Sequence, residues 1–75
     1  MKELIEYVAK TLVDDPSQVY VEEIVGSRQI VYQLQVAPQD MGRVIGKGGR
    51  VANAIRTLLR AAGVRKGKRV ILEIG

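Results

Sequence analysis

Cysteine, histidine, phenylalanine and tryptophan are all absent from this chain of 75 residues. Without cysteine there is no disulfide framework, no thiolate metal site and no thiol nucleophile. Without histidine the commonest general base at neutral pH and the commonest zinc ligand are gone. Only Ser17 and Ser27 offer a serine hydroxyl, and both fall in turn-like segments with no base in view, which argues against an enzyme. No uncharged apolar run approaches the ~20 residues that span a bilayer, so no membrane association is expected. The start, Met1-Lys2-Glu3-Leu4, places acid beside base and does not read as a signal peptide, so the expected location is the cytoplasm.

What remains is a chain with 47% hydrophobic and 27% charged residues, the balance of a folded domain rather than a disordered tail. At this size there is room for one domain, 1–75, burying about 60% of its unfolded surface. Its net charge of +4 is unevenly laid out. Residues 1–40 carry three basic and seven acidic side chains, whereas residues 41–75 carry nine basic and one acidic. A domain with one strongly basic half suits a polyanionic partner.

Hydrophobic periodicity predicts six elements. Over 2–13, Leu4, Val8 and Leu12 form a helical stripe that Ile5 and Ala9 widen. Asp14-Asp15-Pro16 ends that helix. Residues 18–25 read as a strand in which Glu22-Glu23 breaks the alternation, as at a bulge or an edge. Gly26-Ser27 suits a type II′ turn into a half-buried strand over 28–36, with Ile30, Tyr32, Leu34 and Val36 facing the core. The tyrosines as a group are expected in the core or against the sheet. Pro38 opens a short helix to about Ile45, with Asp40 in its first turn against the helix dipole.

A longer helix starts near Arg50, with Ala52, Ile55, Leu59 and Ala62 as its stripe, Val51 and Leu58 beside it and Gly63 as its stop. Val64–Gly67 reads as a basic loop, and Val70, Leu72 and Ile74 alternate on a last strand. The order α-β-β-α-α-β, with a crossover long enough for a parallel return, implies an α+β fold. Its sheet would be mixed and three-stranded, with the helices packed on one face.

The segment Gly42 to Val51 is the most unusual. It fails as a Walker A loop, because position 41 is Met41 and position 48 is Gly48 rather than Ser or Thr. It fails as a dinucleotide fingerprint, because position 51 is Val51 and the preceding element reads as helical. What fits is a G-x-x-G turn between two helices, ending at Gly46 and Gly49. Glycines there let the main chain approach a phosphodiester, and the following helix aims free N–H groups at the same place. Lys47 adds a cation at the tip, with Arg43 and Arg50 on either side. No hydroxyl or carboxylate stands by to hold magnesium, so the arrangement suits gripping a sugar–phosphate chain rather than cutting it, and no cofactor or metal is expected. The plainer alternative is a sharp helix–helix turn.

Val44-Ile45-Gly46-Lys47-Gly48-Gly49-Arg50-Val51-Ala52-Asn53-Ala54-Ile55 resembles the V-I-G-x-x-G-x-x-x-x-x-I core of a KH domain. The element order resembles the type II KH arrangement over essentially the whole chain, and a free-standing domain of this size is similar to the KhpA family of small bacterial RNA-binding proteins. The resemblance implies that Gly46, Lys47, Gly48 and Gly49 clamp the backbone of about four nucleotides of single-stranded RNA. It implies bases lying in an apolar groove to which Val44, Ile45, Val51 and second-strand residues contribute. It implies a homodimer, or a heterodimer with a larger KH-containing protein of the Jag/EloR type. It also implies a role as a post-transcriptional regulator or RNA chaperone linked to cell envelope growth. A protein–protein adaptor that kept the fold without RNA is the alternative.

Outside the motif, Arg56 and Arg60 read as solvated surface, and Asp14-Asp15 and Glu22-Glu23 as surface charge. Arg65, Lys66, Lys68 and Arg69 form either a second phosphate patch or an ordinary basic turn. Ala54, Leu58 and Ala61 make another apolar strip on the long helix, available to a partner or to packing on the first helix.

Overall fold

Three helices and three strands follow one another in the order α-β-β-α-α-β in a computed structural model that describes residues 1–75. They are α1 (Lys2–Leu12), β1 (Tyr20–Val25), β2 (Gln29–Gln35), α2 (Met41–Ile45), α3 (Arg50–Lys66) and β3 (Arg69–Ile74). The sheet order is β1-β2-β3, with β1 antiparallel and β3 parallel to the central β2. This is the mixed sheet expected from the long crossover. Side chains alternate across a strand, so Val21, Ile30, Tyr32, Leu34 and Leu72 share one face. On that face they meet Ile5 and Ala9 of α1, Val44 of α2, and Ile55 and Leu59 of α3 in a single core. The opposite face, with Tyr20 and Ile24, is open.

Several boundaries differ from the sequence reading, each for a physical reason. The α1 stripe is rotated: Ile5 and Ala9 are buried, while Leu4 is exposed. The hairpin register pairs Val25 with Ile30, so the reversal centres on Ser27 and Arg28 rather than on Gly26-Ser27. Gly26 has no positive φ and therefore does not form a II′ corner; its N–H donates to the Gln29 carbonyl at 2.7 Å. Glu22-Glu23 makes no bulge, because the ladder runs unbroken from Tyr20 to Val25, and β1, like β3, is an edge strand. Glu23 lies opposite Tyr32 and accepts a 2.7 Å hydrogen bond from its hydroxyl, so the carboxylate has a partner on the core-side rim. Tyr32 is buried as expected, but Tyr7 and Tyr20 are exposed.

The largest difference is at Gly63, which does not stop α3. The helix runs on to Lys66 and turns at Gly67, whose φ of 67° is left-handed. There the Lys68 N–H reaches the Gly63 carbonyl at 2.9 Å and the Gly67 N–H reaches that of Val64 at 3.2 Å, the paired bonds of a Schellman stop. Gly63 is instead where α3 touches the returning chain. A Cβ there would sit 2.6 Å from the Lys68 carbonyl oxygen and 2.7 Å from Val70 Cγ2.

Candidate nucleic-acid interface

The link between α2 and α3 is built from three glycines with positive φ: Gly46 (76°), Gly48 (65°) and Gly49 (80°). At φ 76°, ψ 168°, Gly46 occupies a region that residues with a Cβ do not enter. Packing adds a second bar, since a Cβ there would lie 2.6 Å from Val51 Cγ2 and 2.9 Å from Val51 N. Gly46 thus sets the angle between the two helices. Gly48 faces open space, with nothing within 4 Å of an added Cβ, and Gly49 would meet only Asn53 Nδ2 at 3.6 Å. The outer surface of the loop is therefore bare main chain. Gly49 also serves as the N-cap of α3, and no side chain caps that end, while a tight turn through Lys47–Gly49 takes the Gly49 and Arg50 N–H groups onto the Gly46 and Lys47 carbonyls.

The charges around the loop divide into two kinds. Lys47 and Arg50 are exposed and pair with no carboxylate. Arg43, expected beside them, is occupied: Nη2 lies 2.9 Å from Asp14 Oδ2 and Nε lies 3.3 Å from Asp40 Oδ1. Asp40 is completely buried and does not cap α2 through its side chain. Its two oxygens instead accept the Asp14 and Asp15 backbone N–H groups at 3.1 and 3.2 Å. That carboxylate fastens the segment after α1 to the start of α2, a role invisible in sequence because the partners lie 26 and 25 residues away.

The expected apolar contacts also divide. Ile45 is exposed and Val51 half-buried at the loop, whereas Val44 is 0% exposed and belongs to the core. The strand beside α3 is β3, with β2 behind it, so a groove flanking α3 takes β3 rather than second-strand residues. Such a groove exists: an open depression of about 600 Å³ between α3 and β3, with Arg56, Arg60, Lys68 and Arg69 among its walls and aliphatic side chains completing it. Arg56 and Arg60, read from sequence as solvated surface, line it. Their spacing of four residues was the available signal, since it places both on one helical face. Arg56 Nη2 donates to the Leu72 carbonyl at 3.4 Å, and Lys68 Nζ donates to that of Gly26 at 3.3 Å. Arg65 and Lys66 lie on the last turn of α3 rather than in a loop.

A second depression of about 360 Å³ lies between the start of α1 and the far half of α3, lined by Met1, Leu4, Leu58, Ala61 and Ala62 with two cations. The strip Ala54, Leu58 and Ala61 is exposed rather than packed on α1. No helix is long and apolar enough to cross a membrane.

A family model described as KhpA/KhpB, KH domain, matches residues 2–74. The chain is 53% identical over 74 residues to a protein of Clostridium perfringens named RNA-binding protein KhpA, covering 99% of each chain. Proteins of the same name from Clostridium acetobutylicum and Caldanaerobacter subterraneus subsp. tengcongensis are 55% and 57% identical over the same length, again with 99% of each chain covered. No solved structure matches.

Proposed function

The chain belongs to the KhpA/KhpB KH-domain family, and from that premise we propose that it binds single-stranded RNA without acting on it chemically. The family is non-enzymatic, and relatives at about half identity are named RNA-binding proteins. The observation that carries the reading is the bare glycine loop at the uncapped start of α3, with Lys47 and Arg50 free beside it. Main chain without a covering Cβ, a helix N-terminus without a side-chain cap and two free cations are a fit for successive phosphates. Gly46, Lys47, Gly48, Gly49 and Arg50 are assigned to the backbone grip, with Ile45 and Val51 at the near end of the base path. The α3–β3 groove continues that path. Arg43 is assigned to holding α2 in place, since its guanidinium already faces two carboxylates.

The same reading extends to partners. Leu58 is 58% exposed between the small residues Ala54 and Ala61, so two copies of α3 can approach closely across that strip. We assign it to pairing, either with a second copy or with a larger KH-containing protein of the Jag/EloR type. The proposed setting is the cytoplasm, in post-transcriptional regulation or RNA chaperoning linked to envelope growth.

The test replaces Lys47 and Gly48 with aspartate together and follows binding of a fluorescent single-stranded RNA by polarisation. Gly48→Asp meets open space and carries only the left-handed main-chain penalty of about 1 kcal/mol, so the fold stays in place, as circular dichroism will show. The expected result is loss of binding by a folded variant. Unchanged affinity overturns the assignment of RNA to this loop.

A further inference from the structure

Resting on the RNA-binding reading above, we infer that the α3–β3 groove prefers guanine to adenine and that Arg56 is the residue that sets the preference. The polar side chains of the groove are all cations: Arg56, Arg60, Lys68 and Arg69, with no carboxylate, amide or hydroxyl among them. Arginine and lysine donate hydrogen bonds and accept none. The one carboxylate on β3, Glu73, does not line the groove; Gln33 donates to it at 3.4 Å. Stacking gives no counterweight, because none of the three tyrosines lines the groove.

A groove walled by donors distinguishes bases by where they carry acceptors. Guanine presents O6 and N7 side by side, the pair that an arginine fork meets with two parallel hydrogen bonds. Adenine presents N7 beside the N6 amino group, so donor meets donor at the same place. The two purines share size and stacking surface; guanine also carries N1–H and a C2 amino group that adenine lacks, and 7-deazaguanosine separates the O6/N7 edge from those differences.

Among the four cations, Arg56 is the one placed to read it. It is half-buried in the groove wall, and Nη2 is held at 3.4 Å by the Leu72 carbonyl on β3. A guanidinium carries five N–H donors, so anchoring one leaves the others in a fixed plane. Lys68 is tied to the Gly26 carbonyl, and Arg60 and Arg69 are exposed, as befits phosphate contacts. The Arg56 contact to Leu72 also occupies an edge-strand acceptor that would otherwise favour an amino group.

The experiment uses five-nucleotide RNAs, uridine throughout except for one central purine, so that backbone charge and salt dependence are identical. Guanosine is expected to bind about tenfold more tightly than adenosine. Inosine, which keeps O6 and N7, should match guanosine, and 7-deazaguanosine should fall towards adenosine. Arg56→Lys keeps the charge and loses the fork, so it should bring the guanosine-to-adenosine ratio close to one. A merely structural role for Arg56 would instead lower both affinities together and keep the ratio. A wild-type ratio near one, or a ratio that survives Arg56→Lys, overturns this inference and leaves the RNA-binding reading standing. Failure of every RNA to bind overturns both.

Discussion

Single residues decide how the loop is held. Gly46 and Gly48 look alike in sequence, yet their surroundings differ. Gly46→Ala meets both a forbidden main-chain region and a 2.6 Å clash with Val51, which costs about 3 kcal/mol. Gly48→Ala meets only the left-handed penalty of about 1 kcal/mol, since nothing lies within 4 Å. Thermal melts should therefore separate the two variants clearly, and equal melting temperatures would contradict the geometry. Tyr32 is a second case. Burial, reinforced by its hydrogen bond to Glu23 and that carboxylate's charge, pushes the phenol from 10.0 up to about 12. A raised phenol pKa means the fold favours the neutral form, so its contribution is complete below pH 10.0 and disappears as pH climbs through about 12. Absorbance titration should show one tyrosine ionising near the top of that window. Denaturant midpoints should drop over the same range, and that drop should vanish in Tyr32→Phe.

At the scale of elements, the joints matter more than the elements. The carboxylate of Asp40 joins the end of α1 to the start of α2 through two main-chain N–H groups and Arg43. Asp40→Ala leaves those N–H groups without their acceptor and strips Arg43 of one partner, a loss of about 2–3 kcal/mol. For a domain of this size that lowers Tm by about 10 °C or more, and RNA affinity should weaken too, because α2 carries the loop. A melting temperature unchanged in Asp40→Ala would show that the joint is not structural. Gly63 is the joint between α3 and β3. Its sequence signature, a glycine after an apolar stripe, is identical for a helix stop and for a close helix–strand crossing. Only the position of Val70 tells them apart, which is why the helix is legible in sequence while its stop lies four residues beyond Gly63, at Gly67.

Over the whole molecule, four cations line the α3–β3 groove, while the exposed strip of Ala54, Leu58 and Ala61 lies elsewhere on α3. If the loop and groove neutralise about four phosphates, log K for single-stranded RNA should fall with a slope near −3 against log salt. A slope near zero would mean that the basic half does not meet the phosphate chain. Leu58→Asp places a charge in the middle of the exposed α3 strip, so sedimentation should report a monomer where the unaltered chain pairs. An unaltered chain that sediments as a monomer would remove the pairing assignment and leave the RNA surface intact. The sequence by itself determined the element order, the mixed sheet, the core faces of β2 and α3, and the glycine turn between two helices. Those follow from periodicity and from residue types whose conformational freedom is intrinsic, so they need no knowledge of neighbours. Only the tertiary structure decided that Arg43 is engaged, that Val44 is core, that Arg56 and Arg60 line a groove, and that Leu58 is exposed. Each of those depends on which distant segment lies alongside, and a local pattern carries no record of a partner many residues away.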